Sequence, residues 1–189
     1  RVCLYAGQRE NAFNYSTEVI KASNNGIFPF VDRSLVNGTA QDPDRIFSPE
    51  VLFALSDSQR GELFEEYFDP SLAPNMVFRM ETDLLEQTIY GGTGTGGNLD
   101  DYRCRSNWIS SGSARYFYKY SDMTESGRIE NTMIPLLRLG EMYLIAAESQ
   151  SNSLANGVSY INTLRKNRGV SNLQTLTTTL LQYEYIREV

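Results

Sequence analysis

The stretch Ile134-Pro135-Leu136-Leu137-Arg138-Leu139-Gly140-Glu141-Met142-Tyr143-Leu144-Ile145-Ala146-Ala147-Glu148 sets the reading of this 189-residue chain. Leu136, Leu139, Tyr143 and Ala146 recur at intervals of three and four, the period of one helical face. Pro135 suits a first helical turn, where its missing N–H is not needed. A helix over 135–150 is therefore expected, apolar enough for a core, with Arg138 and Glu141 paired on one face. After a polar turn at 149–153, Leu154, Val158, Ile161 and Leu164 form a second stripe. Arg168-Gly169 ends it with a basic last turn and a glycine stop. Residues 173–189 lead through threonines into Leu180, Leu181, Tyr183, Glu184 and Ile186, the start of a further helix.

The opposite end repeats this arrangement. Residues 1–6 read as the tail of an apolar helix stopped by Gly7. Residues 10–23 place Ala12, Tyr15, Val19 and Ala22 on one stripe before Asn24-Asn25-Gly26 closes it. The spacing from Gly7 to Ala12, where two helices could cross closely, resembles half of a tetratricopeptide-type unit. Residues 27–132 differ, holding five of the six prolines and nine of the fourteen glycines. Short β-prone runs at 51–55, 76–78 and 115–120 sit there between turn formers, with a short helix expected at 59–67. The expected fold is mostly α, a single domain over 1–189. It divides into a helical hairpin at 1–26, a loop-rich middle with short strands at 27–132, and a second hairpin plus a further helix at 133–189.

Composition narrows the chemistry. The chain has no histidine, which removes Ser-His-Asp and Cys-His catalysis and His-ligated zinc. Seventeen basic against twenty-three acidic residues give a net charge of −6, which disfavours nucleic acid and favours a neutral or cationic partner. Cys3 and Cys104 lie about a hundred positions apart and form neither a disulfide framework nor a metal knuckle. Arg103 and Arg105 flank Cys104, but without a histidine base two unreactive thiols are the better reading. No stretch approaches the roughly 18 apolar residues of a membrane span. The chain opens on Arg1 inside one helical pattern and stops inside another, so it is read as an internal piece of a longer protein, less stable alone than within the whole.

The middle segment carries the candidate chemistry. The glycine run at 91–97 lacks a GK[ST] motif and is followed by Asp100 and Asp101, so a loop is expected there instead of a phosphate cradle. The acid pairs Asp42/Asp44, Glu65/Glu66 and Asp100/Asp101 are read as solvated, with neither a glycosidase pair nor a calcium loop assigned. Asn14-Tyr15-Ser16 and Asn37-Gly38-Thr39 match a glycosylation acceptor pattern that is common by chance. Aromatics are more informative. Tyr90, Tyr102, Trp108, Tyr116, Tyr118 and Tyr120 fall among Asp, Asn, Arg and Ser, the mixture that stacks on sugar faces and hydrogen-bonds hydroxyls, or grips a peptide. Within 116–120 the alternation favours core packing. The ligand-binding candidates are Trp108, Tyr90, Tyr102, Asp101 and Arg103, with no catalytic or metal-ligating residue and no cofactor.

The stretch at 134–148 resembles the helix of the SusD/RagB family of surface glycan-binding lipoproteins from Bacteroidetes, typically IPLxRxAExxLxxAEA. Gly140 stands where that pattern usually has alanine. Residues 160–169, YINTLRKNRG, are similar to the family's iNxvRxrxG, and 183–189, YEYIREV, to the start of its next helix. Residues 1–22 resemble its ARxyLyaGxxxxAxxxAxxvI hairpin, and 48–55, SPEVLFAL, its sxEvIFal strand. The resemblance implies a scaffold of tetratricopeptide-like pairs with an irregular insertion, held on the outer face of the outer membrane by a lipid anchor outside this chain. It further implies a non-enzymatic protein that captures oligosaccharides, or in some members peptides, for a SusC-like TonB-dependent transporter. A protein-docking helical module without a small ligand is the reading from another class, and a glycosidase the third. The quoted motifs are scaffold, so the ligand candidates rest on the aromatic argument alone.

Overall fold

The structure is a computed structural model describing residues 1–36, 42–91, 94–111, 114–125, 127–150 and 153–188. Asn37-Gly38-Thr39, Gly92 and Thr93 of the glycine run, and residues 151–152 of the expected turn lie outside the described residues. Helices α1 (Val2–Tyr5) and α2 (Arg9–Asn24) form the first hairpin, and Gly7 between them takes φ +73°, a conformation that side chains disfavour. Ala12, Ser16, Ile20 and Ser23 are the buried residues of α2. A short helix α3 (Arg33–Val36) follows, then strand β1 (Val51–Ser56) and helix α4 (Arg60–Tyr67).

A π-helical turn at Leu84–Ile89 leads to α5 (Tyr102–Asn107), which runs straight into β2 (Trp108–Ser111) and its antiparallel partner β3 (Ala114–Phe117). The chain then enters β4 (Met133–Arg138), α6 (Leu139–Glu148), α7 (Val158–Asn167) and α8 (Thr178–Glu188). The main core joins α2, α6, α7 and α8 through Ala12, Ile20, Leu139, Leu144, Ile161, Leu164 and Leu181. Eight of the ten residues of α6 are buried, so this helix is wrapped on nearly all sides. Among the described residues no helix is long and apolar enough to cross a membrane.

Two expectations are corrected. Pro135 and Leu136 begin no helix: residues 133–138 form β4, antiparallel to β1, with Ala54 opposite Pro135 and Ser56 opposite Met133. The sheet has two strands, so proline sits on an edge where its missing N–H breaks no ladder. Residues 76–78 form no strand either; the Phe78 N–H donates to the Tyr67 carbonyl at 2.6 Å and the segment folds back on the end of α4. The run at 115–120 is strand only to Phe117, after which the Tyr118 N–H bonds to the Asn107 carbonyl. The expected Arg138–Glu141 pair does not form. Glu141 takes two hydrogen bonds of 2.6 Å from Arg1, while Arg138 precedes the helix in extended conformation.

Candidate functional site

An open cleft of about 720 Å³ lies beside the β2–β3 hairpin. Strand pairing places Trp108 opposite Phe117, with ring centroids 5.0 Å apart at 50°. Phe117 meets Phe68 at 5.7 Å, and Phe68 meets Phe78 at 6.3 Å, so four rings form a continuous aromatic path along the cleft. Phe78 is 63% exposed, so this end of the path is open to solvent. Met80, Leu84, Tyr90 and Ile186 add apolar surface. Polar groups come from Arg79, Glu81, Asn107 and Arg187, the last already bonded to Glu184 and to the Ile89 and Thr95 carbonyls. Asn107, 7% exposed, lines the cleft beside Ser106, whose Oγ lies 3.1 Å from its Oδ1.

Of the five candidate residues, the structure brings two to this cleft. Trp108 is half-buried in its wall, and Tyr90, 3% exposed, packs with Leu85, Ile89, Cys104 and Met80. Burial raises the Tyr90 phenol well above its ordinary pKa, so it stays neutral. Tyr102 lies elsewhere: its N–H donates to the Arg168 carbonyl, and its ring covers Gly169, where a Cβ would come within 2.6 Å of it. Asp101 and Arg103 are 0% and 1% exposed. Asp101 caps α5 by accepting from the Arg103 N–H at 2.9 Å and binds the guanidinium of the same residue at 2.6 Å. Neither faces the cleft.

They belong instead to a buried ion network. Arg103 also reaches Glu184 at 3.0 Å and Glu188 at 3.1 Å. Arg168 holds Glu50 through two bonds of 2.6 and 2.7 Å and Glu188 at 2.8 Å. Glu184 in turn accepts from Arg165 and Arg187. Four arginines (Arg103, Arg165, Arg168, Arg187) thus face four carboxylates (Glu50, Asp101, Glu184, Glu188), a balanced set in which each charge has hydrogen-bonded partners. Phe47 lies against Arg168, with the guanidinium 4.6 Å from its ring centroid, and adopts φ 57°, a strained value for a bulky residue. That turn delivers Glu50 to Arg168. Sequence spacing hinted at this set, since Arg165/Arg168 and Glu184/Glu188 lie three and four apart on expected helices, but burial was not visible.

The other motifs also resolve into structure. Arg187 donates to the carbonyls of Ile89 at 2.6 Å and Thr95 at 2.9 Å, so the glycine-rich loop turns backbone oxygens toward a cation. A phosphate cradle requires the opposite polarity. Asp44 accepts from the Ser48 N–H and hydroxyl, Asp42 from the Thr124 N–H, and Asp100 pairs with Arg105. Among the described residues no group of three His, Cys, Asp or Glu is placed to hold a metal. Both cysteines are free, and burial, then the Asp101 charge, pushes the Cys104 thiol up to about 12, so it is not a nucleophile at neutral pH.

No protein-family profile and no curated protein matches this chain. Two solved structures do. One is a protein from Bacteroides vulgatus ATCC 8482 to which sugar binding is provisionally ascribed, with a TM-score of 0.65 and 22% identity over 100% of this chain. Another is a SusD-like carbohydrate-binding protein from the same organism, at a TM-score of 0.58 and 19% identity over 98% of this chain. At these identities the likeness is one of fold: the chain has a SusD-like, mostly helical architecture with short strands. It spans 42% and 39% of the length of those two proteins.

Proposed function

We propose that this chain is the ligand-capturing part of a SusD-like, non-catalytic surface protein, and that the aromatic cleft holds a neutral oligosaccharide. The supporting observation is the path Trp108–Phe117–Phe68–Phe78, four rings in contact and partly open to solvent, with the Asn107 amide beside them. Flat apolar faces stack on sugar rings, and a few convergent polar groups fix their orientation. The fold shared with structures described as sugar- or carbohydrate-binding supports the same ligand class. In this reading the protein sits on the outer face of the outer membrane through a lipid anchor and passes its ligand to a SusC-like TonB-dependent transporter. One observation favours a peptide as the second reading: Met80, Leu84 and Ile186 offer an aliphatic floor suited to an apolar side chain.

The test is a calorimetric screen of the intact protein against soluble oligosaccharides and peptide pools, repeated with Trp108→Ala. An open stacking surface should supply about 4 to 5.5 kcal/mol, a dissociation constant of about 0.1 to 1 mM. Saturable binding to a glycan that weakens about tenfold or more in the variant supports the proposal. Binding confined to peptides supports the second reading, and binding that ignores Trp108→Ala removes the cleft from consideration.

A further inference from the structure

A second pocket, about 350 Å³, opens where β4 enters α6 and is lined by Lys119, Tyr120, Arg138, Glu141, Tyr185 and Glu188, among others. Lys119 is 5% exposed and Arg138 8% exposed, yet among the described residues neither side chain makes a hydrogen bond. Arg138 has one ionic contact, Nη2 to Glu188 Oε1 at 3.7 Å, too long for a hydrogen bond. The acids of the pocket are already committed. Both Glu141 oxygens accept from Arg1, and Glu188 accepts from Arg168 and Arg103. Tyr185 donates to Glu148 at 2.8 Å. Beyond the four arginines that the neighbouring network balances with four carboxylates, Arg138 and Lys119 are two further buried basic side chains, Arg138 with only the long contact to Glu188 and Lys119 with no ion pair among the described residues. Burial, then the Arg138 charge, pulls the Lys119 ammonium well below its ordinary pKa. Buried cations of this kind are costly unless a counter-charge joins them.

We propose that this pocket binds a single oxyanion, the carboxylate or sulfate group of a small ligand, between Lys119 Nζ and the Arg138 guanidinium, with the Tyr120 hydroxyl as a further donor. Arg138 has planar N–H pairs suited to two oxygens of one group, and Lys119 adds a point charge. The Tyr120 ring, 5.9 Å from Lys119 Nζ, closes one side. The site is separate from the aromatic cleft, shares none of its lining residues, and stands whether or not the cleft binds sugar.

The experiment titrates the intact protein with sodium glucuronate, sodium sulfate and neutral glucose at constant ionic strength, following heat and melting temperature. Glucuronate and sulfate should bind near the millimolar range and raise the melting temperature in both the parent and Trp108→Ala, and in that variant glucose should produce no such shift. Lys119→Met and Arg138→Gln should each weaken the anion about tenfold or more, and Trp108→Ala should leave it unchanged. Lys119→Met removes an unpaired buried charge, so it should fold at least as well as the parent. A second readout needs no variant: the chain has three lysines, Lys21, Lys119 and Lys166, and the anion should slow acylation of Lys119 alone, read by peptide mass spectrometry. Binding of glucuronate without sulfate would identify a carboxylate site, and binding of both a general oxyanion site. Absence of binding to either anion, or affinity unchanged in both variants, overturns the proposal.

Discussion

Gly140 lies in the first turn of α6, the position where the SusD-type pattern usually has alanine. On helix propensity alone, alanine there would gain about 1 kcal/mol. The surroundings reverse the sign. A Cβ at Gly140 would overlap the Glu188 carboxylate and lie 3.2 Å from Arg168 Nη2. That carboxylate is anchored by Arg168 and Arg103 and has little freedom to swing away. Gly140→Ala is therefore expected to lower stability by about 1 to 3 kcal/mol in chemical denaturation, the ordinary range for overpacking. A gain in stability would show that Glu188 moves aside without loss. The same residue-scale logic separates Trp108 and Tyr90, which line the cleft, from Tyr102, Asp101 and Arg103, which do not. The residue type and polar neighbours of Trp108 made it a candidate in sequence. Asp101 and Arg103 look identical to solvated loop charges in sequence, and only their pairing with each other, with Arg103 reaching on to Glu184 and Glu188, explains their burial. Phe78 was missed because a three-residue apolar run reads as strand when the rings it meets, Phe68 and Tyr67, are not known to be near.

At the scale of elements, the crossing of α6 with the turn before α7 depends on Gly157. A Cβ at that position would come within 2.8 Å of Ala147 Cα, so the two backbones touch and no flexible side chain can yield. Gly157→Ala should cost about 1 to 3 kcal/mol in urea unfolding by pushing the helices apart; an unchanged midpoint would place the crossing elsewhere. The helices α2, α6 and α7 were readable since their apolar residues recur at three and four, although α2 buries Ala12, Ser16, Ile20 and Ser23 and leaves Tyr15 exposed, and α8 was readable from the run at 180–186. The strand β4 was not, because Ile134, Leu136 and Leu137 fit helical spacing as well as a short buried strand. What decides between them is β1, about eighty residues earlier, whose main chain supplies the hydrogen bonds. The same distance effect replaced the local Arg138–Glu141 pair, since Arg1 reaches Glu141 with better geometry.

For the molecule as a whole, the ion network makes stability depend on acid. Burial by itself would raise the pKa of Glu184 and Glu188. The surrounding arginines outweigh it, Arg168, Arg138 and Arg103 for Glu188 and Arg103, Arg187 and Arg165 for Glu184, and hold both below the ordinary carboxylate value. A carboxylate with a depressed folded pKa contributes fully above its unfolded pKa of about 4.3, and that contribution disappears as pH falls through the folded value. Asp32 and Glu130 are shifted the same way, while burial of Asp44 acts in the opposite sense. The melting temperature should fall steadily below about pH 4 as these carboxylates take up protons. A melting temperature that holds or rises between pH 4 and 2 would contradict the network's role.

The same network ties distant parts of the chain into a common history. Glu50 lies more than a hundred positions from Arg168 and Glu188, and each carboxylate answers to more than one arginine or backbone group. A chain drifting through mutation cannot exchange one member for a neutral residue without stranding a buried charge on another. Change in this layer has to arrive in compensating sets. The aromatic rings of the cleft carry no such linked charge, so they are free to vary one at a time, and the molecule can hold its charged layer fixed while the proposed binding face is rewritten.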